Sequence, residues 1–116
     1  HCIEVARFGG ITYAWDATPE YFSSVVTAHA SAALEVLNHR VVCMNVITLP
    51  PTDNGQPQLT ILFSRDPVAV DAATVQILSQ HGLLREKDRM LASQLLAKAE
   101  SAGVGRMGYF VERVAF

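Results

Sequence analysis

At 116 residues, half of them hydrophobic and 17% charged, the chain has the size of one domain and enough apolar content to build a core rather than remain disordered. The formal charge is −2 and the nine Lys and Arg are scattered; even Arg85, Lys87 and Arg89 are interleaved with Glu86 and Asp88, so no nucleic-acid footprint is expected. No apolar run reaches the roughly 18–20 residues of a membrane span, no secretory leader opens the chain, and two cysteines do not make a disulfide framework, which together lead to the expectation of a soluble protein of a reducing, cytoplasmic compartment.

In chain order, Ile11 to Trp15 is β-branched and aromatic and predicts a short strand. Thr18-Pro19-Glu20 starts a helix: Thr18 caps, Pro19 suits the first turn and Glu20 complements the dipole. The helix is expected to run to Leu37, with Phe22, Val25, Val26, Ala33, Leu34 and Leu37 as its buried stripe and Asn38 as its stop. His39 to Thr48 is apolar with little alternation, as in a strand covered on both faces. Pro50 to Pro57, with Asn54-Gly55 inside it, is a loop, and Gln58 to Phe63 is a second buried strand.

Asp66 before Pro67 marks the next helix start, which carries on to Gln80 and stops at Gly82. A third helix covers Glu86 to Ala102, with Leu91, Leu95 and Leu96 inward and Gly103 as a left-handed cap. Gly108 to Phe116 alternates, Phe110, Val114 and Phe116 opposing Tyr109, Val111 and Arg113, and predicts an edge strand. The expected fold is a single α/β domain over residues 1–116: one mixed sheet, helices on its faces, order β-α-β-β-α-α-β.

The strand-to-helix junction from Ser64 to Asp71 is where chemistry is expected. A helix start presents unpaired amides and positive potential to anions, and Ser64 and Arg65 add a hydroxyl and a cation. Asp66 and Asp71 are two carboxylates able to hold a hard cation or share a proton, although a cap at Asp66 and a dipole partner at Asp71 are the plainer roles. Cys43, within the most apolar strand, reads as a small core residue, and His29, His39 and His81 as surface or helix-end residues. No CxxC, HExxH or Cys/His cluster is present, so no metal and no cofactor are expected.

The run Ser64-Arg65-Asp66-Pro67-Val68-Ala69-Val70-Asp71 resembles the "S-x-DPVA-x-D" signature of the domain-of-unknown-function 362 family. Phe22 with Ala28-His29-Ala30 is similar to that family's first helix, and Ala99-Glu100-Ser101-Ala102-Gly103-Val104-Gly105 with Tyr109 to its "A-E-x-x-G-x-G…Y" close. The resemblance implies the C-terminal part of a longer architecture that often carries ferredoxin-like cysteine motifs upstream. Residues 1–10 then resemble a degenerate remnant of such a motif: Cys2 matches a ligand position, Ala6 stands at a second, and Arg7 replaces proline. The family's Cys-Asp-Cys loop here reads Thr52-Asp53-Asn54, with only the aspartate retained. A cluster needs about four thiolates, so none is expected on this chain alone.

The leading expectation is a non-redox module that binds a small molecule, an anion or a partner at the junction facing the Asp53 loop, through Asp53, Ser64, Asp66 and Asp71, with Ser64 for anion contact and the aspartates for a cation. The alternative is a fragment of an iron–sulfur electron-transfer protein whose ligands lie outside the chain, in keeping with an opening at His1 rather than Met. A homo-oligomer pairing through the terminal strand is the third possibility.

Overall fold

In a computed structural model, the described residues are 18–51, 53 and 55–114. The strand expected at Ile11–Trp15, the motif remnant at 1–10 and the end of the terminal strand lie outside them. The described elements follow the order α-β-β-α-α: α1 (Pro19–Val36), β1 (Cys43–Leu49), β2 (Gln58–Ser64), α2 (Pro67–Gln80) and α3 (Glu86–Ser101). The fold is a mixture of helix and sheet, and no helix among the described residues is long and apolar enough to cross a membrane.

Local chemistry sets the helix ends. The Thr18 hydroxyl accepts from the Tyr21 amide, with Pro19 at the first helical position and Glu20 in the first turn of α1. The exit uses two left-handed residues, Asn38 (φ 51°) and His39 (φ 53°), and the His39 amide returns to the Leu34 carbonyl at 2.8 Å. Helices α2 and α3 end alike. Gly82 (φ 66°) and Gly103 (φ 75°) turn the chain, and the amides of Leu83 and Val104 reach back to the carbonyls of Leu78 and Ala99. Val104 is then buried against the end of its own helix.

The elements stack in series: α1 packs on α3, α3 on α2, and α2 on both strands. Val26, Ala30 and Leu34 of α1, Val68 of α2, Leu95, Leu96 and Ala99 of α3, and Val104 form the core cluster. Full burial of each larger member contributes about 1.5–3 kcal/mol. Because α2 is enclosed between α3 and the hairpin, its first turns are buried on several sides, Pro67 to Asp71 without interruption. The stripe of α1 is rotated from the expected one. Ser23, Val26, Thr27, Ala30 and Leu34 are buried, whereas Leu37 is exposed and Val25 and Ala33 are only half-buried. Small side chains at 23, 27 and 30 suit close approach of a helix, a property that counting large apolar residues does not register.

The expected buried strands are corrected. β1 and β2 form a two-stranded antiparallel hairpin, with Cys43 opposite Ser64 and Leu49 opposite Gln58. Among the described residues only one face is covered: Asn45, Ile47 and Leu49 turn inward while Met44 and Val46 are exposed. A single mixed sheet is not seen among the described residues, and residues 108–114 form no strand, Phe110 being fully exposed. Alternation allows a strand but does not supply a partner edge; here the Tyr109 hydroxyl is instead held by Gln76 of α2.

Candidate functional site

The Ser64–Asp71 junction is a structural knot. The Ser64 hydroxyl accepts from the Asp66 amide at 3.0 Å, turning the chain as it leaves β2. Asp66 Oδ1 then accepts from the amides of Val68 (2.9 Å) and Ala69 (3.0 Å), capping α2. Its second oxygen, Oδ2, accepts from the amide of Arg106 at 2.9 Å, forty residues later in the chain. One carboxylate therefore fixes both the start of α2 and the segment that follows α3. That segment is secured again by Glu100, whose Oε2 accepts from the Met107 amide.

Gly105 makes this approach possible. A Cβ built there would fall 2.0 Å from Asp66 Oδ1 and 2.7 Å from its Cγ. Gly105 was visible in sequence as part of Gly103-Val104-Gly105, where only the first glycine has the left-handed backbone of a helix stop. The two do different work: Gly103 turns the chain, and Gly105 leaves room for a carboxylate. Two segments far apart in the chain, 64–71 and 99–109, are thus brought into direct contact.

Asp71 points elsewhere. It is 1% exposed and accepts from Asn45 Nδ2 of β1 at 2.8 Å. The same amide nitrogen donates to Thr74 Oγ1 at 2.8 Å, and that hydroxyl donates to the Val70 carbonyl. This buried polar set ties α2 to the inner face of the hairpin, and Cys43 lies half-buried at the start of the same strand. Asn45 and Thr74 were not foreseen as site residues. An Asn in an apolar strand is the one signal that pointed there, because a buried amide requires partners.

The expected partnership with Asp53 is not formed at this junction. Asp53 sits in the connection beyond Leu49, at the opposite end of the hairpin from Ser64. Seven-residue strands separate the two ends by about 20 Å. The candidate residues therefore divide three ways: Ser64 and Asp66 at the helix start, Asp71 under the hairpin, and Asp53 at the far turn. Among the described residues no group of three or more His, Cys, Asp or Glu is placed to hold a metal ion.

Beside the Asp66 knot lies an open groove of about 1010 Å³. Its charged and aromatic lining comprises His39, Arg65, Asp66, Glu100, Arg106, Tyr109 and Phe110. Arg65 and Arg106 are exposed. The ion pairs among the described residues join Arg85 to Asp88 and Arg89 to Glu86 on α3, so neither groove guanidinium is held in one. Both groove carboxylates, by contrast, already accept backbone amides. Comparison with known proteins finds no family model, no curated protein and no solved structure that matches the chain.

Proposed function

We propose that the chain is a binding module for a small anionic ligand, carboxylate- or phosphate-bearing, taken up in the groove beside the α2 start. One observation carries this reading: among the described residues Arg65 and Arg106 line one groove without ion-pair partners, while the acids beside them are already engaged by the backbone. Guanidinium groups present flat, forked donors suited to carboxylate and phosphate oxygens. His39 adds a third nitrogen-bearing group and Tyr109 an aromatic wall. In this reading Ser64 and Asp66 build the site rather than touch the ligand, and an anion at the helix start is replaced by Asp66 itself, which occupies the amides of Val68 and Ala69. Membership of the domain-of-unknown-function 362 family belongs to the same proposal, supported by the way the Ser64–Asp71 run forms strand end, cap and first helical turns in one piece.

The experiment is a titration of the full chain with inorganic phosphate and with citrate, followed by amide chemical shifts. Shifts should concentrate at Arg65, Gly105, Arg106 and Tyr109, and Arg65→Ala with Arg106→Ala should weaken binding about tenfold or more while the thermal melt is preserved. Absence of binding at about 10 mM anion, or binding unchanged in the double variant, rejects the reading.

A further inference from the structure

The outer face of the hairpin is apolar but for Thr48. Side chains alternate across a strand, so the residues not facing α2 are Met44, Val46 and Thr48 of β1 and Leu59, Ile61 and Phe63 of β2. The register sets Met44 opposite Phe63, Val46 opposite Ile61 and Thr48 opposite Leu59. Exposure runs from 47% at Ile61 to 62% at Leu59, and Val42, one alternation before Met44, is 71% exposed. A hairpin face turned to water normally carries polar residues in this register. From the Met44–Phe63 pair to the Thr48–Leu59 pair this one carries a single hydroxyl and no charge.

Six large side chains at about half exposure amount to roughly 600 Å², the upper end of what monomers show. A standard interface takes about 800 Å² from each partner, so this strip with a modest rim is of the right size for one. An uncharged strip offers nothing to a nucleic acid or to an acidic or basic surface, but it complements itself, as a two-fold contact requires.

We infer that this face seats a second copy of the chain, the two hairpins packing face to face as a two-layered sandwich about a two-fold axis. Sheets packed in this way lie about 10 Å apart with strands within about 30°. An axis through the Val46–Ile61 pair, running across the strands, lays the bulky Met44–Phe63 end of one copy over the smaller Thr48–Leu59 end of the other. Large side chains then meet small ones at both ends, which is how a packed layer avoids voids.

Sedimentation equilibrium of the full chain from about 1 to 200 μM tests the assignment, with Ile61→Lys and Val46→Lys beside it. The expected result is a dimer whose dissociation constant rises about 100-fold or more in either variant, with the far-ultraviolet circular dichroism of the monomer unchanged. A monomer across the whole range overturns the inference, as does a dimer indifferent to both lysines. Loss of folding in both variants overturns it too, because it would mean that the face is covered within one chain.

Discussion

The Asp66 carboxylate occupies the space that a side chain at position 105 would need, with only 2.0 Å between Oδ1 and a Cβ built on Gly105. A helix cap and a distant glycine are therefore one structural device: the cap orients the carboxylate, and the glycine admits the chain that reads its second oxygen through the Arg106 amide. Because both guanidiniums proposed to bind the anion flank this device, its integrity governs the shape of the groove.

Gly105→Ala should destabilise the fold by about 1–3 kcal/mol, since Asp66 must swing away and surrender its amides. Asp66→Ala should cost about 2 kcal/mol through loss of the cap and of the Arg106 bond. In a double-mutant cycle by urea denaturation the two effects should fall well short of additive, because the second change removes a contact the first has already broken.

Gly103→Ala provides the contrast. Among the described residues nothing lies within 4 Å of a Cβ at this position, and the strain is that of the left-handed backbone at φ 75°. The expected loss is about 1 kcal/mol. It should add to the cost of Asp66→Ala within about 0.5 kcal/mol in the same measurement.

The Asp71–Asn45–Thr74 set is expected to be structural. Asp71→Ala removes the carboxylate that receives the half-buried Asn45 amide and should lower stability by about 2–3 kcal/mol, read from chemical denaturation. Anion affinity measured well below the melting temperature should stay within about twofold of the unaltered protein. A specific loss of affinity at full folding would return Asp71 to the ligand site.

Thr27 presents the opposite case. Its hydroxyl is buried on α1 with no hydrogen-bond partner among the described residues, and its neighbours in the helix stripe are core residues. Thr27→Val keeps the shape and removes the unsatisfied group, so stability should rise by about 1 kcal/mol, visible as a higher thermal midpoint.

The sequence was sufficient for the local structure. Thr18-Pro19, Asp66-Pro67, Gly82 and Gly103 mark helix ends through bonds that span a few residues, and α1, α2 and α3 begin and end within a residue or so of where those signals stand. The two strands were legible from their apolar, β-branched runs and the connection from its turn residues, although β1 begins at Cys43 rather than His39, which instead takes a left-handed turn. What the sequence could not decide is which surfaces are covered. An apolar run such as Val41 to Leu49 has the same composition whether one face or two are buried, and only the placement of α2 shows that Met44 and Val46 face outward. Likewise Asp66, Asp71 and Asp53 look like members of one set along the chain. Helix rotation turns Asp71 under the hairpin, strand length carries Asp53 to the far end, and only packing brings Gly105 and Arg106 against Asp66. Capping is settled within one turn of chain, whereas burial and the meeting of distant loops depend on how whole elements dock.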